Sequence, residues 1–173
     1  ATGWGGGFAG EYTGPRAAAP FAILDTLYEA ARFVIEQGDT GLQLPTLNAY
    51  WSPRNVPVAG DVTQGEIETT GYVSGNPDVP SGIYVLGAED NDTDEFDAHV
   101  IAHEFQHYLE DAVSRTDTVG GPHSLAERLD MRVAFSEGYA NAFSAMVLDD
   151  PVYRDSFGTS QGDDFYFSVE STP

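Results

Sequence analysis

The chain has 173 residues, no cysteine and a formal net charge of −21, from 28 acidic residues and 7 arginines. This charge argues against nucleic acid and anionic membranes as partners, and the lack of cysteine excludes disulfides and thiolate metal sites. With 41% hydrophobic and 12% aromatic residues, we expect one globular domain at residues 16–173, preceded by a Gly-rich linker at residues 1–15.

The first half of the chain predicts one helix followed by a small mixed sheet. Apolar residues recur at 3-4 spacing through residues 16–37, with Pro20 near the start and Gly38 at the end, which indicates a helix. The predicted buried stripe of this helix is Phe21, Leu24, Leu27, Tyr28, Ala31 and Ile35. Three β-like runs follow, at residues 47–51, 66–72 and 83–86. Trp4 and Trp51 are interpreted as structural.

An acidic segment at residues 89–97 has two interpretations. One is a charged helix start, with Asp94 as the N-cap and Asp97 three residues later in the manner of a capping box. The other is a Ca²⁺ site, because Asp90, Asp92 and Asp94 alternate as oxygen ligands often do. The segment does not fit an EF-hand loop, which requires Gly and a terminal Glu where this chain has other residues.

The strongest motif is H-E-x-x-H, formed by His103, Glu104 and His107 within a helix predicted at residues 98–111. Two histidines four positions apart lie on one helix face, so both imidazoles can bind one metal ion. A carboxylate beside them can take a proton from a metal-bound water. His99 shares this face and is interpreted as a hydrogen-bonded histidine at the helix start rather than as a ligand.

Two histidines leave a hydrolytic zinc site one protein ligand short. After a loop at residues 114–122, a second helix is predicted at residues 124–148, and Glu137 is its best candidate for the third ligand. Asp130 competes with Glu137 as the ligand and is also a candidate outer partner of the metal-binding histidines. A close approach of the two helices is predicted from a face of small residues: Gly138, Ala142 and Ala145.

Asn141 lies one helical turn after Glu137, so it could orient a ligand histidine by a hydrogen bond. For stabilising the oxyanion, the candidates are His123, in the loop between the helices, and Tyr139, two residues after Glu137. Each also has a purely structural interpretation, as a surface loop histidine and a core aromatic.

HEFQH with a downstream SEGYAN resembles the gluzincin branch of zinc metallopeptidases. The resemblance implies an α+β zincin-like fold in which His103, His107 and Glu137 bind Zn²⁺ and Glu104 is the general base. It also implies that residues 83–86 form an edge strand able to pair with an extended peptide or protein substrate. The wider segment, about a third of the chain, resembles uncharacterised bacterial secreted or lipoprotein-type metallopeptidases, which implies a secreted or cell-envelope location.

The sequence departs from the thermolysin-like pattern in two ways. Those enzymes have Asp at the position of Asn141, and they carry their transition-state His or Tyr in a second domain that this chain is too short to contain. The expected function is zinc-dependent cleavage of internal peptide bonds. A zinc-stabilised, non-catalytic binding module and an aminopeptidase are the alternatives. No apolar run is long enough to span a membrane, and the abrupt ending at Pro173 leaves open a longer native chain.

Overall fold

Three helices pack against two small sheets in the part of the chain that the computed structural model describes, residue 12 and residues 14–38, 41–120 and 127–171. The helices are α1 (Ala19–Gln37), α2 (Ala98–Val113) and α3 (Met131–Leu148). The fold is therefore α+β, as predicted. None of these helices is both long and apolar enough to cross a membrane.

The first sheet has three strands in the order β1-β3-β2. These strands are β1 (Ala49–Trp51), β2 (Gly71–Val73) and β3 (Gly82–Val85). β1 runs parallel to β3, with Ala49 opposite Ile83, and β2 runs antiparallel to β3, with Tyr72 opposite Ile83. The sheet is thus mixed, and β1 and β2 form its edges.

The second sheet is antiparallel, in the order β4-β5-β6-β7. Its strands are β4 (Gly87–Ala88), β5 (Asp92–Thr93), β6 (Val152–Phe157) and β7 (Asp163–Ser168). β5 immediately precedes α2 and β6 follows α3. This sheet therefore connects the two helices that carry the predicted site.

The prediction that residues 83–86 form an edge strand is wrong. β3 has a strand on each side, and all four of its residues are buried. A run that is apolar at successive positions is typical of a strand covered on both faces. The edge strand on the side of α2 is instead β2, where the backbone of Tyr72 contacts Glu104.

The main core lies between the three helices and β3. Its buried members are Ile23, Leu27, Ala30, Ile83, Val85, Ile101, Phe105, Tyr108, Leu109 and Phe143. On α1 the predicted stripe is confirmed at Leu27, which is buried, and at the partly buried Ala31 and Ile35. It is wrong at Phe21, Leu24 and Tyr28, which are 58–73% exposed. α1 has apolar residues on two faces, and its periodicity alone does not choose between them.

Two helix starts also differ from the predictions. α3 begins at Met131 rather than near residue 124, and Asp130 is its N-cap, accepting a hydrogen bond from the Arg132 amide at 2.9 Å. Residues 121–126 lie outside the described residues. At α2 the N-cap is Asp97 rather than Asp94, and its side chain caps nothing because it accepts hydrogen bonds from Ser156 on β6.

Candidate metal centre

Two helices bring three potential metal-binding groups together. α2 supplies His103 and His107, one turn apart, and α3 supplies Glu137. The Nε2 atoms of the histidines lie 3.0 Å apart. The Glu137 carboxylate approaches both, with Oε2 at 3.1 Å from His103 Nε2 and Oε1 at 3.5 Å from His107 Nε2. The three side chains are mostly buried, at 10–19% exposure.

Hydrogen bonds on the far side of each ring fix both imidazoles. His103 Nδ1 lies 2.8 Å from Asn141 Oδ1, an acceptor, so Nδ1 carries the proton. His107 Nδ1 lies 3.3 Å from the Ser136 hydroxyl, whose own proton is donated to Glu110 at 2.6 Å. Ser136 therefore accepts from His107 Nδ1. Both neutral rings then direct the Nε2 lone pair at the shared space.

This arrangement requires a positive charge between the donor atoms. Two nitrogen lone pairs and a carboxylate that face each other within 3.5 Å repel one another unless a proton or a cation lies among them. Burial disfavours the charged form of His107, but the Glu137 bond and the nearby Glu104 and Glu110 charges outweigh it and raise its pKa to about 9. Burial acts against ionised Glu137 too, yet its bonds to both histidines hold its pKa far below the usual range.

The donor set fits zinc. Two imidazoles and one carboxylate, with room for water, form the ligand set of many hydrolytic zinc sites. Zinc–nitrogen bonds of about 2.0–2.1 Å in a tetrahedron place ligand atoms roughly 3.3 Å apart. The separations of 3.0, 3.1 and 3.5 Å found here span that value.

Glu104 lies beside the trio, held by the sheet. Its Oε2 accepts a hydrogen bond of 2.7 Å from the backbone N–H of Tyr72 on β2. Its other oxygen, Oε1, lies 3.9 Å from His103 Nε2. One carboxylate oxygen is therefore anchored, and the other faces the space where the donor atoms meet.

The small residues of α3 match the prediction only in part. Gly138 is exposed, and a Cβ built on it would meet no atom of the described chain within 4 Å. Ala142 is half-buried and Ala145 is buried, and the other buried small residues of α3 are Ser136, Ala140 and Ser144, at four-residue spacing. This face brings Glu137 within reach of the histidines.

Two further predicted residues, Asp130 and Tyr139, make their contacts away from the trio. Asp130 is exposed and forms an ion pair with Arg132 at 3.0 Å. It is therefore neither a third ligand in this geometry nor an outer partner of the histidines. Tyr139 is 43% exposed and stacks on Phe135 at 6.0 Å, since two residues along a helix is about half a turn from Glu137. His123 lies outside the described residues.

His99 also lies outside the trio. Its Nδ1 is 3.2 Å from the Ser144 hydroxyl, and its ring contacts Tyr153 at 5.6 Å. Burial lowers its pKa, which favours the neutral ring. His99 is therefore a hydrogen-bonded histidine in the first turn of α2, as we expected.

Sequence reasoning missed three residues of the site. Glu110, three positions after His107 on the same helix, could have been found by its spacing. Ser136, next to Glu137, could be recognised from the sequence only as a small polar residue. The backbone amide of Tyr72 could not be recognised from the sequence, because every residue in that strand has the same group.

Comparison with protein families places the chain in a class of domains that occur in secreted bacterial metallopeptidases. The matching family is described as the Mycolysin C-terminal domain, and its model matches residues 46–168, well over half of the chain. The chain belongs to this family. The match includes α2, α3 and both sheets. No curated protein and no solved structure matches the chain.

Proposed function

We propose that this chain is a zinc-dependent peptidase of the gluzincin type that hydrolyses internal peptide bonds. The observation that carries the proposal is the convergence of His103 Nε2, His107 Nε2 and a Glu137 carboxylate within 3.5 Å, next to Glu104. Membership in a family of metallopeptidase domains supports it. On this proposal the two small sheets and three helices are a zincin-like catalytic fold.

Zinc bound by the trio would supply a Lewis acid that polarises the scissile carbonyl and acidifies water. Glu104 takes the proton from the attacking water at Oε1, the oxygen that the Tyr72 amide leaves free. The same carboxylic acid then gives the proton to the departing amine. Asn141 and Ser136 hold the two rings in the tautomer that keeps Nε2 available.

The substrate peptide would lie along the edge strand β2. Tyr72 directs its N–H to Glu104, away from β3, and in an antiparallel strand the carbonyl of the same residue points to the same side. An extended peptide can pair with such an edge. This places the scissile bond beside Glu104. The substrate is a peptide or protein, and the family supports a secreted location.

A second candidate function is a zinc-stabilised binding module without catalysis. Two observations favour it: the matching family is named for the C-terminal part of its parent protein, and Tyr139 points away from the trio. Family membership alone assigns no chemistry to this domain. In this alternative the trio only joins α2 to α3.

The test is cleavage of a diverse peptide library, half of it N-terminally acetylated, read by mass spectrometry. The zinc-loaded chain is compared with Glu104→Gln, which keeps the trio but removes the base, and with Asp117→Asn, which alters an exposed ion pair with Arg115. We expect internal cuts by the wild type and the Asp117 variant. We expect the Glu104 variant to be at least 100-fold slower with zinc still bound.

Full activity of Glu104→Gln would reject the mechanism. An absence of cuts by every zinc-loaded protein would favour the binding module, for which Glu137→Ala should lower Tm through metal loss alone. Cuts confined to unblocked peptides, one residue from the N-terminus, would instead identify an aminopeptidase.

A further inference from the structure

A second group of acidic side chains lies outside the zinc-type trio. Asp92 on β5, Asp94 after it and Asp155 on β6 place carboxylate oxygens within 4.8 Å of one another. Asp94 is 3% exposed, and the other two are partly buried. Like charges brought together away from water destabilise the fold unless something compensates them.

In the described part of the chain, three buried oxygen atoms near this cluster accept no hydrogen bond. Within the described residues, Asp92 Oδ1 and Asp94 Oδ1 are buried and accept no hydrogen bond. The other Asp94 oxygen is held by the Thr70 hydroxyl, which also accepts the Leu86 amide at 2.9 Å. The Asp94 side chain is therefore held in place by Thr70, and its Oδ1 accepts no hydrogen bond from the described residues. A buried acceptor left in this state destabilises the fold.

Gln161 adds a neutral oxygen to the same region. Its side chain is 1% exposed, and its Nε2 donates to the Ser156 carbonyl at 2.8 Å, next to Asp155 in the chain. Since a carbonyl accepts and cannot donate, the amide nitrogen must face Ser156. The Gln161 Oε1 atom is consequently turned away from Ser156, and within the described residues it too is buried without a partner.

The arginines of neighbouring elements are engaged elsewhere. Arg16 pairs with Glu95 at 2.6 Å, and Arg154 pairs with Asp150 at 2.6 Å. The fourth nearby carboxylate, Asp97, accepts two hydrogen bonds from Ser156. Burial, with the Asp155 charge, raises the pKa of Asp92 to about 7, and burial raises that of Asp155 to about 6. The cluster is therefore short of positive charge.

We propose that Asp92, Asp94 and Asp155, with the Gln161 amide oxygen, form a Ca²⁺ site. An all-oxygen donor set without histidine suits Ca²⁺ rather than Zn²⁺. Ca²⁺ accepts six to eight oxygens in flexible geometry, whereas Mg²⁺ retains several waters that a buried set does not accommodate easily. The site keeps Asp92 and Asp94 from the set expected from the sequence, whereas the Asp90 carboxylate accepts the Ser160 amide at 2.9 Å and Asp155 takes its place.

The site has a structural role. Asp94 precedes the first turn of α2, while Asp155 belongs to the strand that follows α3. An ion held between them ties the start of the histidine helix to β6. It involves none of the zinc-type ligands, so the inference does not depend on the peptidase function.

The test is thermal unfolding of the full chain at pH 7.5, stripped with chelator, reloaded with stoichiometric zinc, and then titrated with CaCl₂ or MgCl₂. At calcium one hundredfold above Kd, we expect Tm to rise by roughly 5 to 10 °C, with a smaller effect of magnesium. Calorimetric titration should give one calcium per chain. Asp90→Asn is the matched control and should keep the whole shift, as should Glu137→Ala.

Asp155→Asn and Asp94→Asn should lower calcium affinity at least tenfold and abolish the shift at the same calcium concentration. Without calcium, Asp155→Asn should be at least as stable as the wild type at pH 7.5, because it relieves repulsion, so misfolding does not explain a lost shift. The proposal is overturned by a wild type that calcium does not stabilise. It is equally overturned by an unchanged shift in both aspartate variants.

Discussion

The side chains of His103 and Asn141 meet across the interface of α2 and α3, with His103 Nδ1 2.8 Å from Asn141 Oδ1. Where thermolysin-like enzymes have a carboxylate, this chain uses a neutral amide oxygen. The amide fixes the same tautomer but adds no charge. It therefore orients His103 while raising the basicity of its Nε2 less than a carboxylate does.

Removing this bond should weaken metal binding. We expect Asn141→Leu to lower zinc affinity by about 10- to 100-fold, the usual effect of losing an outer hydrogen bond to a ligand histidine. Asn141→Asp keeps an acceptor and should bind zinc at least as tightly as the wild type. Competition with a chromophoric chelator measures both. Asn76→Ala, which removes an amide that caps a distant exposed turn, is the control, and equal affinity in Asn141→Leu would contradict the role.

Because Ser136 accepts a hydrogen bond from His107, we expect two buried serines of α3, Ser136 and Ser144, to differ in their effect on zinc affinity. Ser136→Ala should cost about 1–3 kcal/mol of stability, because Glu110 and His107 each lose a partner. Ser144→Ala should also destabilise, since it removes bonds to His99 and to the Asn141 carbonyl. Denaturant unfolding with chelator present gives both values. Only Ser136→Ala should lower zinc affinity as well; a similar loss in both variants would show that general loosening of α3 is the cause.

The raised pKa of His107, about 9, predicts a pH dependence of metal binding. Below that pH the metal-free trio holds a proton that zinc must displace. Zinc binding at pH 7 should therefore release about one proton, and affinity should rise as pH increases toward 9. Titration calorimetry in buffers of different ionisation enthalpy counts the proton.

The same shift has a defined sign for the metal-free fold. Because the folded pKa of His107 lies above the unfolded value of about 6.5, the stabilisation is complete below pH 6.5 and is lost as pH rises through 9. In chelator, Tm of the wild type should fall from pH 7.5 to 9.5. His107→Gln lacks the titrating group, so its Tm should fall less, and parallel curves would argue against the assignment.

The sequence predicted the parts of the site that local spacing determines. A four-residue interval brings His103 and His107 to one face of a helix, and the same interval relates Glu137 to Asn141, so their geometry needed only a helix to form. Small residues on the second helix also predicted that the two helices pack closely, with Glu137 facing the histidines. Of the predicted small residues, Ala145 is buried and Gly138 is exposed, and three buried small residues were not predicted: Ser136, Ala140 and Ser144.

Features that depend on long-range pairing were not predictable in this way. Asp92 and Asp94 were identified as candidate ligands, but Asp155 joins them only because β5 pairs with β6, more than sixty residues along the chain. The position of β3 inside its sheet depends likewise on which strands flank it. On α1, apolar side chains lie on both faces, and the packing of α2 and α3 decides which face is covered.

Cations bound by the His103–His107–Glu137 trio and by the aspartate cluster would act as two cross-links in this cysteine-free chain. A cation held by His107 and Glu137 would close a loop of about thirty residues, and one held by Asp94 and Asp155 would close a loop roughly twice as long, around the first. By the chain-entropy argument used for disulfides, each closure would restrict the unfolded state by about 3–4 kcal/mol. Each divalent ion would also offset two of the 21 excess negative charges. With both ions bound, the stability of the chain would depend on dissolved ions, and a chelator would then destabilise it as a reducing agent destabilises a disulfide-linked protein.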